Sequence, residues 1–161
     1  MIQLKNPLQI NEMKEAGRIT GEALLVARES IREGISTYEL DKIIRCHIEK
    51  CGAKPSFLGY GGFPASACIS VNATVIHGIP GGYILKEGDI LSVDCGLILD
   101  GWQSDSAFSA PVGKASEETL RLIRVTEECF WLAANMAREG NRLGDISHAV
   151  QEHAEANGYG V

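Results

Sequence analysis

Apolar positions recur first with a helical period and later with a strand period. From Asn11 to Glu33, Met13, Ile19, Ala23, Leu24, Ala27 and Ile31 fall at helical spacing, and Gly34 ends the run. A second helix is predicted over Glu39–Lys50, capped by Ser36 or Thr37, with Leu40, Ile43, Ile44 and His47 near one stripe and Gly52 after it. Residues 55–112 change character: glycine and proline punctuate the β-type runs "SACISV", "TVIHGI", "GDILSVDCGLIL" and "QSDSAFSAPV". Asp100-Gly101, between the last two, is a hairpin-turn signal. A long helix is predicted over 116–138, with Ser116 at its start and Glu117 and Glu118 in the first turn, where the helix dipole favours acids. A fourth covers 144–156 and ends at Asn157-Gly158.

The helical parts repeat. Residues 12–52 set against 118–158, an offset of 106, are identical at eleven of 41 positions. These include Arg18/Arg124, Glu22/Glu128, "REG" at 32–34 and 138–140, His47/His153 and Gly52/Gly158. Two amphipathic helix pairs of similar composition would give some of this; an ααβ unit used twice accounts for it better. On that reading the first unit runs on into strands after Gly52, whereas only Tyr159, Gly160 and Val161 follow Gly158, so the chain is expected to stop where a second sheet half begins.

Composition narrows the function classes. A length of 161 residues suffices for one domain with a core, and a net charge of -6 argues against a nucleic-acid or anionic-membrane binder. Five cysteines with no Cys-x-x-Cys pair argue against a disulfide framework or a thiolate zinc site, and point to a reducing cytosol. The opening "MIQLKNPLQINEMKEAG" lacks the apolar core of a signal peptide, and no apolar run approaches the roughly 20 residues of a membrane span.

Three stretches carry candidate chemistry. In "LSVDCGLILDGWQSD" the turn residues Asp100-Gly101 set Asp105 opposite Gly96, with Asp94 one diagonal step away; a turn shifted by one residue sets the two acids directly opposite. Both registers put the carboxylates on one face, beside Ser92 and Gly96, while Leu91, Val93, Cys95, Leu97 and Leu99 form the core face. Either both acids point into water, or a hard divalent cation lies between them. In "ISVNATVIHGIP", His77 sits in a β-type run with Val75 on its face, and is either structural or catalytic. His47, His148 and His153 lie on helix patterns and read as structural. In "FLGYGGFPASAC", Gly59, Gly61 and Gly62 form a loop that gathers Phe57, Tyr60, Phe63 and Cys68 as core or as an apolar substrate pocket. No Lys-Ser/Thr follows the glycines, so they are not a phosphate loop.

In this order the stretches resemble the type I methionine aminopeptidases, through "GYGGFPASACISVNATVIHGIP" and "LKEGDILSVDCGLILDGWQSDSAFSAPVG". The likeness covers essentially the whole chain. It implies an α+β fold of the pita-bread type, with 1–113 as the first pseudo-symmetric half and 114–161 as the start of the second. It implies removal of the initiator methionine from nascent proteins by a water activated between two divalent metal ions; Co, Mn, Fe and Zn all suit such ligands. Asp94 resembles the family's bidentate metal ligand, Asp105 its bridging ligand, and His77 the histidine that hydrogen-bonds the substrate near the scissile peptide. Phe57, Tyr60, Phe63 and Cys68 fall at positions that line the methionine pocket. The remaining ligands, one histidine and two glutamates, are expected beyond Val161, so residues 1–161 alone are expected to be inactive and to self-associate. A cytoplasmic protein, met by nascent peptides and in reach of the ribosome, is the setting implied.

Gly61 stands where that family commonly has histidine, and Ser104 where it commonly has glycine; altered loop shape or substrate access is expected. The rivals are a proline-specific peptidase of the same fold and a non-catalytic binding module on the same scaffold. Tyr60, Phe63, Cys68 and His77 are expected to cluster in one cleft with the two aspartates, each partly exposed.

Overall fold

The computed structural model describes residues 3–161, which divide into two units, the first ending at Ala115 and the second running over Ser116–Val161. The first holds α1 (Pro7–Ser30), α2 (Thr37–Lys50), β1 (Lys54–Pro55), β2 (Ala67–Val71), β3 (Ile90–Leu99) and β4 (Trp102–Pro111). The second holds α3 (Glu117–Met136) and α4 (Leu143–Ala156). In the first unit α1 and α2 pack on one antiparallel sheet, and the second unit adds two further helices, so the chain falls in the α+β class. Among the described residues no helix is long and apolar enough to cross a membrane.

Helix α1 starts four residues before the apolar period predicts. Asn6 caps it by accepting from the Gln9 amide, Gln9 reaches back to the Asn6 amide, and Pro7 supplies the preset φ of a first turn. Helix α2 has the same device in Ser36 and Glu39. The two helices bury Ile19, Ala23, Leu24, Ala27, Leu40, Ile44 and Ile48 against Ile69, Leu91, Val93, Cys95 and Leu97 of the sheet. Strand β3 is central: β4 lies along one edge, and β2 and the two-residue β1 follow each other along the other, all antiparallel.

The run "TVIHGI" forms no strand. Val75, Ile76 and Ile79 are exposed, and His77 takes a left-handed φ of 58° that no ladder accommodates. β-branched content made the segment resemble a strand; the backbone instead follows the free edge of β2.

In the second unit α3 and α4 pack through Val125, Cys129 and Ala154, with Val150 and Tyr159 against them. Helix bounds repeat with the sequence offset: α1 and α3 end at Ser30 and Met136, and α2 and α4 begin at Thr37 and Leu143 and end at Lys50 and Ala156. The shared glycines agree as well, Gly34 with Gly140 (φ 87° and 91°) and Gly52 with Gly158 (φ 77° and 82°). Both pairs of sites lie past a helix end, where a left-handed residue turns the chain away.

Candidate metal centre and its cleft

The β3–β4 hairpin closes on Asp100 and Gly101, both at positive φ (49° and 87°), the twist a two-residue turn needs. Gly96 therefore pairs with Asp105 and Asp94 with Ala107, so the two acids stand diagonally on one face. The shifted register is not adopted. Leu91, Val93, Cys95 and Leu97 fill the opposite face and are fully buried. Their burial fixes the register, because a one-residue slip would turn the apolar set outward and the acids inward.

The acidic face borders a cleft of about 670 Å³ that also takes in Phe57, Tyr60, Phe63, Cys68, His77 and Ile79. Every residue singled out in the sequence for this site thus lines one cavity. Their exposure is less even than expected: Cys68 is buried, Phe63 is half-buried, and Tyr60 is 81% exposed on a short 3-10 turn at the rim. Gly61 in that turn has φ 56°, a left-handed position that histidine adopts more readily than most residues. Ser104 lies on the other face of β4 and hydrogen-bonds Thr20 of α1, so it does not border the cleft.

Two glycines, which local sequence read only as turn or small residues, shape the walls. Gly78 presses against β2: an added Cβ would stand 2.3 Å from the Ile69 carbonyl oxygen and 2.7 Å from the Ser70 Cα. Its amide donates to Ser70 Oγ (3.0 Å) and its carbonyl accepts from the Ile69 amide (2.8 Å), which pins His77 beside the cleft. Gly96 leaves room for Ser56 Oγ and the Phe57 ring, which a Cβ would meet at 2.4 and 3.0 Å. Asp41, buried in α2, accepts from the Ser66 and Ala67 amides (2.8 and 2.9 Å) and anchors the start of β2 next to Cys68. We expect Gly78→Ala to lower stability by about 1–3 kcal/mol, because backbone must move to admit the methyl group. Chemical denaturation reads this, and NMR shifts of His77 report whether its segment leaves β2.

Electrostatics single out Asp94. Burial first, and then the neighbouring Asp105 carboxylate, push its pKa up to about 6, while His77 acts in the opposite sense. Among the described residues its buried Oδ1 finds no hydrogen-bond partner. A buried oxygen without a donor on a half-buried carboxylate, next to a second carboxylate, is a costly arrangement that a divalent cation relieves. Oxygen donors on a small polar face suit a hard or borderline metal ion, so these residues fit one. The Cys68 thiol is pushed up to about 11, by burial and then by the two aspartates, and so lines the cleft as a neutral group.

The chain is 53% identical to a methionine aminopeptidase of Clostridium perfringens, over 100% of this chain and 65% of that protein. It is 45% identical to methionine aminopeptidase 1 of Bacillus subtilis, again over 100% of this chain and 65% of the relative. The crystal structure of methionine aminopeptidase from Rickettsia prowazekii superposes with a TM-score of 0.98 at 35% identity, covering 100% of this chain and 65% of that one. The chain thus spans about two thirds of the length of these relatives and shares their pita-bread architecture over that span. The sequence profile of metallopeptidase family M24 matches residues 11–161, and the chain belongs to that family.

Proposed function

We propose that this chain builds the substrate cleft of a divalent-metal aminopeptidase that hydrolyses the first peptide bond of proteins beginning with methionine. The observation that carries the reading is the unpartnered Asp94 oxygen beside Asp105, in one cleft with His77 and an apolar wall. Asp94 and Asp105 would hold the metal, two ions being the number the family resemblance implies. A bound metal would supply Lewis-acid polarisation of the scissile carbonyl and a water of lowered pKa. His77, held beside the cleft by Gly78, steadies the peptide at the bond to be cut. Phe57, Phe63 and Cys68 take the unbranched methionine side chain, and Tyr60 closes the rim. The relatives named methionine aminopeptidase favour this over a proline-specific activity.

Among the described residues the cleft offers two carboxylates and no glutamate. Residues 1–161 by themselves are therefore expected to bind metal weakly and to release no methionine. Phe130 and Trp131, 61% and 59% exposed on α3, favour self-association, which light scattering reads. Unpaired thiols and the substrate class suit a cytoplasmic protein working on chains as they leave the ribosome. The test is a chimera of residues 1–161 with the part of the Clostridium perfringens relative that this chain does not span. With Mn or Co it is expected to release methionine from Met-Ala-Ser and leave Ala-Pro peptides intact. Cleavage of the proline peptide alone would refute the reading.

Cation uptake should also follow pH. A proton on Asp94 competes with the metal, so apparent affinity falls as pH drops through about 6 and levels off above it. Calorimetric titration with Mn between pH 5 and 8 measures this; an affinity flat across that window would count against Asp94 as a ligand.

A further inference from the structure

A second group of ligand atoms lies between α1 and α2, outside the cleft. His47 Nε2 stands 3.7 Å from Cys51 Sγ and 3.8 Å from Glu22 Oε2. All three ligand atoms lie within 4.8 Å of one another. His47 and Cys51 share a helix face one turn apart at the C-terminal end of α2, where the helix dipole favours a cation. Glu22 comes from α1 with its carboxylate already oriented: Oε1 is held by Arg18, which Glu15 fixes in turn. That leaves Oε2 toward His47. A tetrahedral zinc, about 2.3 Å from sulfur and 2.0–2.1 Å from nitrogen or oxygen, sets its ligands roughly 3.4–3.6 Å apart, close to the two distances that His47 makes.

The α3–α4 pair supplies an internal control. Arg124, Glu128 and His153 occupy the matching positions, 106 residues on, and Asn157 stands in place of Cys51. There His153 Nε2 closes on Glu128 Oε2 at 2.8 Å, a direct hydrogen bond, with Arg124 Nε 3.9 Å from Glu128 Oε1. In the first pair the same histidine and glutamate are held at 3.8 Å, too far to hydrogen-bond, and a thiol completes the group. A simple interhelical clamp would close as the second pair does.

We propose that Glu22, His47 and Cys51 bind a zinc ion, with water in the fourth position. Zinc takes nitrogen, sulfur and carboxylate ligands together, and the cysteine gives up its proton on binding. The His47 and Glu22 side chains are 25% and 41% exposed, so solvent reaches the site.

Cobalt is the probe, because a thiolate ligand gives it a near-ultraviolet charge-transfer band that carboxylate and imidazole ligands do not. Titrating the purified 161-residue chain with Co2+ under a phosphine reductant should raise this band, and zinc should displace it. Cys51→Asn should abolish it with far-UV circular dichroism unchanged, since Asn157 ends α4 at the matching position. Cys46→Ser and Cys68→Ser should keep it. If Cys51→Asn alters the helix signal, Cys51→Ser carries the same expectation. No band in the unsubstituted chain, or a band that survives loss of the Cys51 thiol, overturns the proposal.

Discussion

Asp94→Asn is expected to raise the melting temperature of the metal-free chain while taking metal binding in the cleft below detection. The two effects have one cause. At neutral pH Asp94 is ionised although burial and Asp105 both oppose its charge, and its Oδ1 has no donor. An amide of the same shape removes the repulsion and the desolvated charge together. The sign follows from the raised pKa. Asp94 contributes stability below its ordinary 3.8, and that contribution is lost as pH rises through about 6. Because the group is partly open to solvent, we discount the gain to about 1 kcal/mol, roughly 2–4 °C for a chain of this size. Thermal melts of both proteins at pH 7 and pH 4.5, with chelator present, check it: the gain should be present at pH 7 and shrink at pH 4.5. A substitution that destabilised the metal-free chain at pH 7 would mean that Asp94 is satisfied in a way the geometry does not show.

His77→Ala, made in the chimera, should lower kcat by roughly 10²–10³-fold and leave the Mn isotherm unchanged. His77 pairs with no metal-binding role in this reading, but its backbone is held at φ 58° and its neighbour Gly78 is bound to β2 by two hydrogen bonds. Such strain at the edge of a cleft marks a side chain positioned for use. Loss of metal binding together with activity would assign His77 to the metal instead. Full activity in the variant would return it to a structural role.

Local signals carried much of this architecture. Ser36 with Glu39, Ser116 ahead of two glutamates, and Asp100-Gly101 between alternating runs each specify an end or a turn through neighbours in sequence, and α2, α3 and the hairpin lie where those signals put them. The start of α1 was hidden because Leu8 and Ile10 are 68% and 42% exposed and add nothing to an apolar stripe. The Asn6-Pro7-x-Gln9 cap was the signal available. The segment around His77 misled because β-branched residues favour strands only where a partner strand and a buried face exist, and here Val75 and Ile76 have neither. The tight fit of Gly78 and the grouping of Glu22 with His47 and Cys51 depend on contacts between distant segments, which periodicity does not encode.

Anomalous scattering from zinc-soaked crystals of the chain would locate the metal ion that Asp94 and Asp105 are proposed to share in the cleft. A peak within about 2.0–2.2 Å of a carboxylate oxygen of both residues is predicted. A map in which the cleft stays empty at saturating zinc, or in which the two carboxylates turn away from each other into solvent, would contradict it.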